Sequence, residues 1–519
     1  MKRSFRLAAL AVLLLGSVPA PTASAQLSAD EVRRVVLQAA NEASRQGLRA
    51  QIAVTDPEGR LLALFRMTGA PLTTRVAGTR GRGLEGLDVG ADAAAVSKAG
   101  TGAFLSSGGN AFSTRTASFI VQDHFPPAID FTPGGPLFGV QLSNLACTDV
   151  NGGLPLGFAG DAGGVPLYKG GRVVGGLGVE GDGSYGVDRE PAAPDVSTEE
   201  RAALAGAVGF AAPEPIRADA ILADGVRLPF ADSAVDQASA ADSAGLFVVG
   251  PTAGGATSYL PISLGGRALE TLAAFPIRRG AALTVEDVTR ILAQAAQQAA
   301  RTRAAIRQPL GSDARVSISV VDVDGSILGA VRTPDAPQFG FDVAVQKART
   351  ANFFSSAGAA DELRRAGMAA FVTGEVPLDG TVALSSRAVG FLAQPFFPPG
   401  INGAAQGPFS LATSEWSPFN TGLHLELVRE AIATGARGRC STIAKLPNGI
   451  TIFPGGLPLY KDGRLAGAIG ISGDGVDQDD LIAAAGATGF EPPAERLSDR
   501  IVIRGVRLPY VKFPRHPEL

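Results

Sequence analysis

The residues in this chain that could do chemistry are few, and most of them come in pairs. Lys98 in "AAAVSKAGTGAFLSS" (93–107) answers Lys347 in "DVAVQKARTANFFSS" (342–356). Arg115 in "FSTRTASFIVQDHFPPAI" (112–129) answers Arg387 in "LSSRAVGFLAQPFFPPGI" (384–401). Tyr168 and Tyr460 sit at the same place in "GGVPLYKGGRVVGGLGVEGDG" (163–183) and "GGLPLYKDGRLAGAIGISGDG" (455–475), and Cys147 and Cys440 precede those phrases by similar distances. The histidines are the exception. Of the three, His124 faces a Phe/Pro stretch in the other half of the chain, His516 lies in the tail, and His424 has no partner histidine.

Each type bounds what the pairs could do. Lysines and arginines can hold a ligand's carboxylate. The bland reading, a solvated or N-cap-bonding cation, applies equally to all four. For Cys147 and Cys440 three readings stand open: small buried hydrophobes, ligands to iron, or a single disulfide across a pseudo-twofold axis. A Ser-His-Asp arrangement is not supported, because no Gly-x-Ser-x-Gly elbow accompanies an acid and a base. No His/Cys/Asp cluster has metal spacing. The glycines of "GGLPLYKDGRLAGAIGISGDGVDQDD" (455–480) lie between two strands instead of between a strand and a helix, so they read as turns and close backbone approaches rather than a phosphate cradle. "GDGVDQDD" lacks the alternating oxygen ligands and the distal glutamate of a calcium loop.

The elements that must position these residues also occur twice, in the same order. Each half opens on a capped helix. Ser28 with Glu31, and Thr284 with Asp287, form capping boxes, and Leu27/Val32 and Leu283/Val288 have staple spacing. Val32, Val35, Val36, Ala39 and Ala43 recur at helical spacing, as do Val288, Ile291, Leu292, Ala295 and Ala299, which predicts core stripes. A hairpin follows in "QIAVTDPEGRLLALFRM" (51–67) and "VSISVVDVDGSILGAVR" (316–332). The lysine-bearing helix comes next, then a variable region, then the glycine-rich hairpin with its turn at Asp462-Gly463. Asp477, Asp479 or Asp480 is expected to cap the final helix.

Residues 1–25 read as a secretory signal peptide: a basic start, an apolar run of about ten residues and small residues before a cut after Ala25. That run is too short to span a bilayer. The reading divides the chain into a signal peptide (1–25), a first domain (26–230), a Ser/Ala/Asp-rich joint (231–280) and a second domain (281–519), with the mature protein periplasmic or extracellular. A formal net charge of −3, with no block of like charge, argues against nucleic acid as a partner.

The two hairpins, "SKAGTGAF", "QKARTANFFSS" and the glycine-rich phrases together resemble the GlcG/HbpS family of small haem-binding proteins, in two tandem copies. The resemblance covers most of both halves but not the joint. It implies an α+β fold of two profilin-like domains, each an antiparallel sheet flanked by helices and packed as an internal dimer, with further oligomers in the family. It also implies haem as cofactor, with His124, His424, Tyr168 and Tyr460 as candidate iron ligands and Lys98, Lys347, Arg115 and Arg387 as candidate propionate partners. The function it suggests is an exported haem-binding protein acting as carrier, scavenger or redox/iron-stress sensor. Two others stay open: an enzyme on a small organic acid or aromatic in the same pocket, and a structural module docking on another exported protein.

Overall fold

The computed structural model describes residues 26–516 apart from 151, 189, 192, 436 and 437; the signal-peptide reading of 1–25 lies outside the described residues. The fold is α+β, built on two all-antiparallel sheets. In the first, the strands run in the order Gly245–Val249, Leu61–Met67, Gln51–Thr55, Arg172–Glu180, Gly164–Lys169. In the second the order is Tyr259–Leu264, Arg267–Leu272, Ile327–Arg332, Val316–Val321, Arg464–Gly473, Gly456–Lys461. The last four strands of each sheet are the two repeated hairpins, in the same order and sense. The 231–280 joint is more than a spacer, since it adds an edge strand to the first sheet and a hairpin to the second.

Each sheet is the middle of three layers. One face carries the opening helix, Ala29–Arg45 or Val285–Ala299, whose apolar stripes are fully buried as the spacing predicts. Both capping boxes are complete, with Ser28 and Thr284 each accepting from the backbone N–H three residues on. The other face carries the lysine helix, Ala91–Phe104 or Phe339–Phe354. Glycine sets how closely this helix lies on the sheet. A β-carbon on Gly178 would stand 2.1 Å from the carbonyl oxygen of Ala95, and one on Gly470 would stand 1.9 Å from that of Ala344. No side chain fits there, so the repeated glycines are explained by backbone contact.

The halves pack about a pseudo-twofold axis, recognisable because residues meet their own sequence counterparts. Cys147 is bonded to Cys440, their Cα atoms 5.1 Å apart. His124 stacks on Phe396, its aligned counterpart, at 5.4 Å between ring centres. Beside the disulfide, residues 143–149 strap the first half onto the lysine helix of the second. Asn144 N–H donates to Asp342 Oδ2 at 2.8 Å, Ser143 donates to Gln346 at 2.7 Å, and Arg349 forks onto Asp149 at 2.7 and 2.8 Å.

Candidate functional site

Lys98 and Lys347 occupy equivalent positions, both completely buried, with their ammonium groups turned to the end of the sheet. Each donates to the carbonyl of an equivalent strand residue, Val179 at 3.1 Å and Ile471 at 2.7 Å. Each also pairs with an acid in the first turn of an equivalent helix: Lys98 with Glu199 at 2.6 Å on Thr198–Gly206, and Lys347 with Asp479 at 2.7 Å on Val476–Gly486. The next acid on each helix takes the paired arginine, so Glu200 holds Arg115 and Asp480 holds Arg387. Asp195 and Asp232 also pair with Arg115, and Asp477 with Arg387. The expectation that Asp477, Asp479 or Asp480 caps the last helix is corrected here. Gly475 stands at the N-cap with no side-chain bond, and all three acids are spent on ion pairs.

The two lysine sites differ in charge. Around Lys98 two more acids close in, Asp161 at 2.5 Å and Glu180 at 2.8 Å. By the register of the repeat, Phe453 and Ser472 stand at those positions in the second half, and Lys347 lies over the Phe453 ring at 4.9 Å. Burial alone lowers a lysine pKa. At Lys98 the carboxylates of Asp161, Glu199 and Glu180 overcome burial and hold the ammonium well above its usual range. At Lys347 burial wins against Asp479, and the pKa falls. The acids respond too: burial raises Asp161 to about 7 against the pull of Lys98, and raises Asp479 to about 7 against that of Lys347. The first half therefore holds a cation inside a nest of three carboxyls, and the second a single weak pair.

The candidate iron ligands do not converge. His124 has its Nδ1 2.6 Å from the carbonyl of Thr132 and its ring against Phe396. The Tyr168 hydroxyl lies 2.8 Å from the carbonyls of both Ser107 and Asn110, which tie it to the preceding loop. Tyr460 is buried beside Arg496, and burial keeps its phenol protonated. Of these candidates, His424, on the short helix Leu423–Glu426, is a fully buried nitrogen base whose Nδ1 lies 3.5 Å from the Thr421 hydroxyl. Burial drops its pKa to about 3 against a backbone hydrogen bond at Ile450, so the ring is neutral, and its Nε2 has no hydrogen-bond partner among the described residues. Gly139 of the first half makes room for the ring: a β-carbon there would stand 3.0 Å from His424 Cε1.

These positions give a divided answer for haem. A neutral imidazole whose Nε2 has no protein partner would be able to hold the iron of a haem. The propionate partners do not fit, since Lys98, Lys347, Arg115 and Arg387 are each closed by acids of their own half.

Residues 418–488 match the family model described as "Haem degrading protein HbpS-like". In sequence this segment is similar to that family. It contains His424, Cys440, Tyr460, Asp479 and Asp480. No curated protein matches the chain. Among solved structures, a PduOC:heme complex is 22% identical, with 40% of this chain and 95% of that chain covered, at a TM-score of 0.23. A Klebsiella pneumoniae protein, ORFY, is 17% identical, with coverages of 40% and 91% and a TM-score of 0.22. A double mutant of Streptomyces reticuli HbpS is 22% identical, with coverages of 39% and 97% and a TM-score of 0.21.

Sequence reasoning placed Lys98, Lys347, Arg115 and Arg387 in equivalent pairs but missed their acids. Glu180 was visible as the Glu/Ser mismatch between "GVEGDG" and "GISGDG". Asp161 lies just before the aligned phrase. Glu199 and Glu200 are displaced from Asp479 and Asp480 by extra residues between 183 and 198 in the first half, so a gapless alignment cannot pair them.

Proposed function

We propose that this is an exported haem-binding protein in which His424 supplies the protein's ligand to the iron. The observation that carries the reading is the neutral, fully enclosed imidazole with its unanswered Nε2, inside the HbpS-like segment 418–488. Because His424 is buried, binding requires the segment 423–434 to shift away from Gly139. Export is supported by the basic start and apolar run of residues 1–25 and by the Cys147–Cys440 bond, which persists in an oxidising compartment. A carrier or sensor role is preferred to catalysis, because the candidate ligands are dispersed and the buried lysines are spent on carboxylates.

Titration with hemin tests this. The wild type develops a saturating Soret shift, and His424→Ala loses it or changes its position while keeping its far-UV spectrum. A His424→Ala titration identical to the wild type contradicts the assignment of the ligand. A wild-type titration identical to free hemin contradicts haem binding altogether.

A further inference from the structure

A cavity of about 290 Å³ opens where the strap of the first half, the joint and the second half meet. That is close to the lower end of the range for small-molecule pockets, about 300–1,000 Å³. Ala274, Phe275 and Pro276 of the joint and Ile327 of the second sheet make its apolar wall. The Phe275 ring is backed by Phe341, at 6.0 Å between ring centres. The polar lining comes from Asp149, Ser326, Arg278 and Arg349.

The two arginines hang from one turn. Arg349 Nε donates to the carbonyl of Gly325 at 2.9 Å, and Arg278 Nε to that of Ile327 at 2.7 Å. The backbone N–H of Arg278 also donates to the carbonyl of Leu328 at 2.8 Å, so main chain and side chain both tie this residue to the strand Ile327–Arg332. Their terminal nitrogens differ. Arg349 is 2% exposed, forks onto Asp149 and gives a further N–H to Asn448. Arg278 is exposed, and among the described residues no acceptor takes its terminal N–H groups and no carboxylate pairs with it. Asp324 lies on the same turn but does not line the cavity. Two guanidiniums against one carboxylate leave the lining with one net positive charge.

The duplication did not copy this cavity. By the register of the repeat Gly100 stands at the Arg349 position, and a β-carbon there would meet Leu154 at 2.1 Å, so the first half fills the space. A free guanidinium fork beside an apolar wall selects an anion with two acceptors in one plane and an apolar body. We propose that the cavity binds small organic carboxylates, the carboxylate on the Arg278 fork and the body against Phe275 and Ile327. A neutral amide of the same shape would forgo the charge-assisted bonds, and an inorganic anion would leave the apolar wall uncovered.

Calorimetric titration of the disulfide-intact full chain with benzoate, benzamide and inorganic phosphate tests the assignment. Benzoate is expected to bind saturably and at least about tenfold more tightly than either of the others. Arg278→Gln should weaken benzoate at least about tenfold and leave benzamide unchanged. Ala274→Trp should abolish benzoate binding by filling the cavity, each variant keeping the wild-type far-UV spectrum. His424→Ala should leave benzoate binding intact, which separates this site from the haem ligand. No saturable benzoate binding, meaning that the cavity holds solvent only, overturns the proposal. So does equal affinity for benzamide, tighter binding of phosphate, or benzoate binding that survives Arg278→Gln unaltered or is lost in His424→Ala.

Discussion

Removing each buried lysine in turn gives a quantitative test of the two unlike sites. In Lys98→Met the ammonium that lay 2.5, 2.8 and 2.6 Å from Asp161, Glu180 and Glu199 is gone. The three carboxyl oxygens lie within 4.8 Å of one another, and two ionised groups at that range repel by roughly 3–4 kcal/mol at an effective dielectric of about 20. Taking up a proton relieves one carboxyl's repulsion from both of its neighbours at once. Holding one carboxyl protonated at pH 7, against an unfolded pKa near 4, costs about 4 kcal/mol, and at pH 5 about 1.4 kcal/mol. Asp161, at about 7, and Glu199, which burial holds well above the usual carboxyl range, already take up protons in the wild type, so the new cost falls on the third acid of the nest. In Lys347→Met only Asp479 is left, and it too already titrates at about 7. Both lysines are fully buried, so the relief from no longer burying an ammonium cancels in the comparison.

The expected gap between the two variants is therefore about 4 kcal/mol at pH 7 and about 1.4 kcal/mol at pH 5. Against a typical stability of about 5–15 kcal/mol, Lys98→Met should be markedly the weaker variant at neutral pH and partly rescued by acid. Urea unfolding followed by far-UV circular dichroism at the two pH values measures this. Equal losses in the two variants, or a gap that widens at pH 5, would refute the reasoning.

Three further outcomes follow from the same contacts. In the wild type, Asp161 and Asp479 bind protons more tightly folded than unfolded, so stability should fall as pH rises from about 4 to about 7, by up to about 4 kcal/mol for each; Tm measured across that range checks the sign. Mass spectrometry after alkylation without reductant should find no labelled cysteine. The Cys147→Ser/Cys440→Ser double variant, which opens a link across 293 residues, should lose roughly 5–6 kcal/mol on the loop-entropy account. Gly470→Ala, whose new carbon would meet Ala344 O at 1.9 Å, should lose about 3 kcal/mol in urea unfolding, whereas Gly463→Ala, in an open turn, should lose about 1 kcal/mol from its positive φ alone.

The parts of the fold that follow local rules were legible in the sequence. Helix stripes, capping boxes and hairpin turns depend on neighbours a few residues apart, and duplication let each half check the other. The glycines read correctly as close approaches because a strand–turn–strand order leaves no helix N-terminus for a phosphate. What escaped was whatever depends on distant partners. The final helix looked acid-capped because three aspartates crowd its start, yet Lys347 and Arg387, far upstream, claim them. Cys147 and Cys440 had matching positions, but only the pseudo-twofold packing decides that counterparts touch.

The haem assignment rests on a base that the duplication did not copy: His424 has no histidine counterpart in the first half. Native mass spectrometry of the wild-type chain with excess hemin tests this most directly by counting. One hemin per chain, absent in His424→Ala, is the predicted result. Two per chain, or one that persists in His424→Ala, would contradict it.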